Sequence, residues 1–284
     1  MTENLITKTY NIEISASNAQ VWFILWDDFY YRAWTRFFSE GSYAVSDWEL
    51  NGSVHFLKPD GSGMFSEITG LAPDQFMEFT HKGTIKNFET QAPATDSFSW
   101  TGFKESYSLT ASGNNTLLTV SVDTLSDFES FMDEKFLLAL NELKILAENF
   151  KIRIYTEVNA SIEKVWDYYT QPLHITKWNA ASDDWQTTKA SVDLQVGGQF
   201  SYWMEAKDGS VGFDFYGNYT KIEPHLTLHY TLGDSRTVAI NFQVLDNSVS
   251  IEMFFEAENQ NLLSLQKYGW QAILNKFKNY TEAH

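Results

Sequence analysis

The 284-residue sequence predicts an α+β fold built twice in tandem. Each half reads as a curved antiparallel sheet wrapped around a long C-terminal helix, with two short helices after the first strand. Three observations predict it. From Gln199 to Phe255 apolar residues recur at every second position along successive segments, the mark of an antiparallel sheet with one buried face. The stretch Ile152 to Trp178 reads as a strand, a helix, a proline and a second helix. The same opening stands 144 positions upstream, where Glu13, Ala16, Ser17, Val21 and Trp22 match Glu157, Ala160, Ser161, Val165 and Trp166. A period near half the chain length marks a duplication, since solenoid repeats run about 20–50 residues. The expected domains are 1–150, a divergent copy, and 151–284.

In the first half, Leu5–Ile14 reads as a strand. Ser17 with Gln20 forms a capping box that opens a helix to Trp26, and a second helix runs through Tyr30, Trp34, Phe37 and Phe38. Strands follow near Ser42–Trp48, Ser53–Lys58, Gly63–Thr69 and Gln75–His81, punctuated by Asn51-Gly52, Pro59-Asp60-Gly61 and Ala72-Pro73-Asp74. Residues 82–101, with Pro93, read as a strand plus a long loop. Phe103–Thr110 and Thr116–Asp123 make a hairpin, and a helix from Phe128 to Phe150 presents Phe131, Phe136, Leu140, Leu143 and Ala147 at helical spacing.

In the second half, Ile152–Val158 is a strand. Ser161 caps a helix carrying Val165, Trp166 and Tyr169, and Pro172 breaks it and suits the first turn of the next, which holds Leu173, Ile175 and Trp178. Gln199–Ala206 is a strand that turns at Asp208-Gly209. Three alternating runs follow the one through Phe213, Phe215, Gly217 and Tyr219: Leu226 to Leu232, Val238 to Val244 and Val249 to Phe255. The last element is a helix over about Asn261–Tyr280, with Leu262, Leu265, Trp270, Ile273 and Phe277 on its apolar face, where Gly269 suggests a close approach of its backbone to the sheet.

Composition removes several classes of function. The net charge is −17, split −12 over residues 1–150 and −5 over 151–284 by counting acids against bases, which argues against nucleic acid and against an anionic membrane surface. There is no Cys, hence no disulfide, thiolate zinc site or Cys nucleophile. No signal-peptide core and no run near the roughly 20 apolar residues of a membrane span occurs, so the expectation is a cytoplasmic protein without membrane insertion. The six His show no metal-ligand spacing; nucleophile-elbow and phosphate-loop patterns are missing. No metal, cofactor or catalytic residue is therefore assigned.

An ordered set of residues carries a family resemblance. Val165-Trp166, Pro172, His174, Trp178, Trp185, Val196-Gly197-Gly198, Phe200, Asp208-Gly209, Gly217, Tyr219, Ile222, Pro224, Leu228, Tyr230, Arg236 and Gly269-Trp270 fall in one sequence of spacings across nearly all of residues 151–284. In this, the second half resembles the activator of Hsp90 ATPase homologue 1-like (AHSA1-like) domain of the START-like, or SRPBCC (Bet v 1-like), helix-grip superfamily. The first half resembles the superfamily through its Ser17–Trp22 opening, Gly52, Asp60-Gly61 and aromatic-rich last helix, but lacks a second Gly after Gly52 and a Gly-Trp pair. The resemblance implies an internal pocket between sheet and terminal helix, where superfamily members bind lipids, sterols, polyketides or plant hormones.

Trp178, Trp185, Phe200, Tyr202, Met204, Phe213, Phe215, Tyr230, Phe242 and Trp270 are the expected lining of that pocket in the second half. In the first half, Trp34, Phe38, Trp48, Phe65, Phe79, Tyr107 and Phe136 have the bulk to fill the space. The leading functional expectation is a non-enzymatic binder of a small apolar molecule, lipid or polyketide-like. Its rivals are an adaptor contacting an Hsp90-like chaperone through an outer face, and a cyclase or hydratase using a buried carboxylate or His.

Overall fold

The computed structural model describes residues 4–91 and 100–284. The chain divides into two compact units, Met1–Phe150 and Lys151–His284, each an α+β helix-grip fold. In the first, β1 (Leu5–Ile14) leads into α1 (Asn18–Trp26) and α2 (Asp28–Thr35). The strands β2 (Tyr43–Val45), β3 (Ser53–Leu57), β4 (Gly63–Ala72), β5 (Phe76–Lys86), β6 (Glu89–Thr90), β7 (Lys104–Ser112) and β8 (Asn115–Leu125) follow, and a 3-10 turn introduces α3 (Glu129–Glu148). The second runs β9 (Ile152–Val158), α4 (Ile162–Thr170), α5 (Pro172–Trp178), β10 (Trp185–Val192), β11 (Gln199–Ala206), β12 (Gly212–Glu223), β13 (Thr227–Leu232), β14 (Thr237–Val244), β15 (Val249–Phe255) and α6 (Leu263–Ala283).

Both sheets share one topology. The first is ordered β1-β8-β7-β5-β4-β3-β2, with β6 on β5, and the second β9-β15-β14-β13-β12-β11-β10. The opening strand of each domain closes beside its last strand, and hairpin neighbours make the rest of the path. Bulges bend the sheets at Thr187/Lys189, at Tyr219/Lys221 and twice between β4 and β5, which increases local twist and curls the sheet toward its terminal helix.

Local chemistry sets the helix starts. The Ser17 hydroxyl accepts from the Gln20 N–H at 3.3 Å while the Gln20 side chain accepts from the Ser17 N–H at 3.0 Å. Such a cap contributes about 0.5–2 kcal/mol. Ser161 caps α4 through the Lys164 N–H at 3.3 Å, and Pro172 occupies the first turn of α5. On α6 the buried face is Gln266, Leu274, Phe277 and Thr281. Phe277 has no exposed surface and meets the rings of Tyr169 and Trp178 edge-on, both at 5.1 Å.

The structure corrects the sequence reading at several points. Leu262 and Leu265 are 71% and 56% exposed. Gln266 turns inward in their place because its amide accepts from the Glu258 N–H at 2.9 Å and donates to the Glu258 and Asn261 carbonyls at 3.1 and 2.9 Å, tying the preceding loop to the helix. Leu226, in the turn before β13, and Val244, at the end of β14, lie beyond the buried stretches of these strands and are 60% and 63% exposed. α2 ends at Thr35, before Phe37 and Phe38. β10, a mostly polar edge strand, was not anticipated. β5 continues to Lys86 and turns through Asn87 and Phe88, both at positive φ, into β6. The loop expected around Pro93 lies outside the described residues.

Two glycines differ in what they permit. A Cβ at Gly217 would stand 2.5 Å from the Thr231 carbonyl oxygen and 2.9 Å from the Phe200 ring, so this position has to be bare. Gly269 has nothing within 4 Å of such a Cβ; the close helix approach expected there does not occur. Because Gly269 lies inside α6 with open space beside it, Gly269→Ala is expected to raise the stability of the second domain by about 0.5–1 kcal/mol through backbone entropy. Denaturant melts of wild type and variant check this, and a loss of stability would contradict it.

Candidate functional site

In the second domain a cavity of about 260 Å³ lies between the curled sheet and α6. The inward positions of β11 (Phe200, Tyr202, Met204) and β12 (Phe213, Phe215, Tyr219) supply one wall, since alternate residues of a strand share a face. Leu228, Tyr230 and Met253 line it from β13 and β15; Trp270, Ile273 and Leu274 close it from α6; Tyr169, Trp178 and Asn179 bound it on the side of the short helices. Trp270 stacks on Phe255 with ring centres 4.2 Å apart, and Phe200 meets Tyr230 edge-on at 4.9 Å. Phe213, 46% exposed, forms part of the rim.

Of the ten residues expected to line this space, Trp185 and Phe242 do not. Trp185 opens the edge strand β10 and packs against Phe213 at 5.8 Å, outside the cavity. Phe242 has the inward parity but sits beneath α4, edge-on to Trp166 at 5.4 Å and Tyr169 at 5.6 Å. Tyr169, Tyr219 and Arg236 line the cavity and were missed as site residues.

Apart from Asn179 and Arg236, the polar side chains of this cavity are neutral phenols. Burial raises the hydroxyl of Tyr202 and of Tyr230 well above the ordinary tyrosine range, raises Tyr169, and pushes Tyr219 up to about 12. All four therefore stay protonated at neutral pH, as donors and acceptors without charge. The charged lining residue is Arg236, whose Nε donates to Asp234 at 2.8 Å and whose guanidinium also donates to the Glu256 carbonyl at 3.3 Å. His174 does not face this space. Its Nδ1 lies 2.9 Å from the Tyr280 hydroxyl and its ring stacks on Tyr168 at 3.8 Å. Among the described residues no group of His, Asp and Glu is placed to hold a metal ion.

The first domain is not filled. A cavity of about 330 Å³ opens between β3–β5, β7, β8 and the start of α3. The large rings pack against one another at its sides, as in Trp26 on Phe79 at 5.5 Å, Trp26 on Tyr107 at 5.1 Å and Phe38 on Phe136 at 4.9 Å. Phe128 and Phe131 stay 42% and 44% exposed at the helix start, leaving the middle open. Its polar wall is unlike that of the second domain. The Glu105 carboxylate accepts a short hydrogen bond from the Tyr107 hydroxyl. His81 is buried, with Nδ1 2.7 Å from the Ser66 hydroxyl and Nε2 3.9 Å from Glu105. Burial raises the Glu105 carboxyl, an effect its bond from Tyr107 partly offsets, and lowers His81 to about 4. The sequence carried the signal: His81 shares the inward parity of Met77 and Phe79, and Glu105 that of Tyr107 and Leu109.

The two domains are thus helix-grip modules with interior cavities, the second apolar and phenol-lined, the first also holding a carboxylate and an imidazole. Residues 159–282 match the family described as Activator of Hsp90 ATPase homolog 1-like protein, and over that span the chain belongs to it. The chain is similar to the AHSA1-like protein from Aeromonas hydrophila, with 42% identity over 46% of this chain and 93% of that one and a TM-score of 0.44. It is similar to a protein from Cytophaga hutchinsonii, with 46% identity over 47% of this chain and 92% of that one and a TM-score of 0.43. It is also similar to the di-domain ARO/CYC BexL from the BE-7585A biosynthetic pathway, at 10% identity over 98% of both chains and a TM-score of 0.39. No curated protein matches the chain. Among the described residues no helix is long and apolar enough to cross a membrane.

His81 makes a pH prediction. In the folded chain it stays neutral down to about pH 4, whereas in the unfolded chain it takes its proton near the ordinary 6.5. Between those values the unfolded state binds more protons, so this group's contribution to stability is present above about pH 6.5 and lost as the pH falls toward 4. At about 1.4 kcal/mol per unit, wild type should lose up to about 3 kcal/mol more than His81→Gln across that window. Glu105 acts with the opposite sign in both proteins, so the difference between their profiles is what is read. Denaturant melts stepped through pH check it, and parallel profiles would contradict it.

Proposed function

We propose that the second domain binds a compact, largely apolar small molecule in the cavity between its sheet and α6. The observation that carries this reading is the composition of the wall: rings and aliphatic groups surround the space, with phenols of Tyr169, Tyr202, Tyr219 and Tyr230 held neutral among them. Among the described residues, Arg236 is the one charged side chain that lines it, and it is already engaged by Asp234. Such a wall offers area for burial and hydrogen bonds for orientation, the usual division in small-molecule sites. It offers no group poised to gain or lose a proton near neutral pH, which favours binding over acid–base chemistry in this domain. A volume of about 260 Å³ lies just under the roughly 300–1,000 Å³ typical of ligand pockets. It suits a molecule of one or two rings bearing a hydroxyl or carbonyl better than a full-length lipid.

The test uses an environment-sensitive apolar dye and the full chain. Its binding should change Trp fluorescence, because Trp178 and Trp270 line the cavity. Met204 is buried and points into the space. Met204→Trp should weaken dye binding about tenfold or more while the fold survives, since the added volume enters open space; in a filled core the same change would cost about 1–3 kcal/mol. If no dye binds at tens of micromolar and Met204→Trp merely destabilises, the reading fails. An adaptor role through an outer face, which the family description suggests, would then take its place.

A further inference from the structure

We propose that the cavity of the first domain is a binding site for a compact arylalkyl amine, its ammonium held by the Glu105 carboxylate among the rings of Tyr31, Trp34, Phe79 and Tyr107. This site is independent of the one proposed for the second domain. It differs in the one respect that selects a ligand's charge.

Glu105 lies on β7 directly opposite Phe79 of β5 and lines the cavity, with 20% of its side chain open to it. No Lys or Arg of the described residues is within ion-pair distance of it. Its one cationic candidate, His81 at 3.9 Å, is committed to Ser66 and resists protonation because it is buried. The Tyr107 hydroxyl occupies one of its acceptor positions, and a carboxylate has about four. A carboxylate withdrawn from water with a phenol and no counter-charge is costly. Two things neutralise it: a proton, or a cation that brings its own charge.

The surroundings fit the second. Trp34 and Phe79 lie 6.2 and 6.4 Å ring to ring from Tyr107, and Phe79 pairs with Glu105 across the sheet, so aromatic surface stands next to the carboxylate. Rings beside a carboxylate attract an ammonium through their quadrupoles and its charge together. Asp123 lines the same cavity, and the domain around it carries twelve more acids than bases over residues 1–150. Lys58, also on the lining, is the charge that works against a cation there. The volume of about 330 Å³ holds one aromatic ring on a short chain with room to spare.

The probes are 2-phenylethylamine and its neutral counterpart 2-phenylethanol, titrated calorimetrically at pH 8 into the full chain carrying Met204→Trp, which is expected to weaken binding in the second cavity. The amine is expected to bind about tenfold or more tighter than the alcohol, within what charge-assisted and cation–π contacts supply. Glu105→Gln should abolish that preference while leaving alcohol binding within about threefold. A wild-type cavity that binds both alike, or a preference that survives Glu105→Gln, overturns the proposal. Should Glu105→Gln fail to fold, the His81 ring proton resonances of the unaltered domain decide: amine should shift them with a midpoint about tenfold or more lower in concentration than alcohol does, and equal midpoints, or an amine that leaves them in place, overturn the proposal equally.

Discussion

The second domain depends on where its terminal helix is pinned. Phe277 is wholly buried between Tyr169 and Trp178, so α6 is fastened at its C-terminal half to the two short helices that follow the first strand. Burying a ring of this size contributes about 1.5–3 kcal/mol before its edge-on contacts are counted. With that half fixed, the other half is held by the stack of Trp270 on Phe255 and by Gln266 with its amide bonds to Glu258 and Asn261. The helix is thereby set at a fixed height above the concave face of the sheet. The space beneath Trp270 is a consequence of that geometry.

The same plan in the first domain gives a different interior. The strand path is equivalent, and α1, α2 and α3 occupy the places of α4, α5 and α6. What changes is the chemistry of inward positions. The second domain presents phenols on β11, β12 and β13; the first presents an imidazole on β5 and a carboxylate on β7. Duplication preserves the frame, because the alternation that keeps a sheet half-buried tolerates any side chain that can be satisfied. The polar identity of the cavity is then free to diverge.

The fold was legible where alternation and caps were strong. Ser17, Ser161 and Pro172 fixed the helix starts, and the runs ending at Phe255 fixed the sheet. β10 was not legible, because Trp185–Val192 has one large ring and no alternation, as suits an edge strand with one neighbour. Most of the second cavity followed from parity. Parity does not say how far along the sheet a residue stands, which is why Phe242 was expected in the cavity and lies beneath α4. Bulk was the wrong guide in the first domain. Summed ring volume cannot distinguish rings that stack beside one another from rings that meet across a gap. His81 and Glu105 share the parity of Phe79 and Tyr107, so the same rule turns them inward.

Gly217 places a limit on the second cavity from behind. It stands in β12 under the Phe200 ring, with no room for even a methyl group. Any side chain there would have to lift that ring into the open space in front of it. The cavity's capacity is thus limited by a backbone position on its outer layer as well as by the residues that touch its contents. Because the Thr231 carbonyl oxygen stands even nearer than the ring, a lineage of such domains has no freedom at this position, and its range of guests can change only through the residues that touch them.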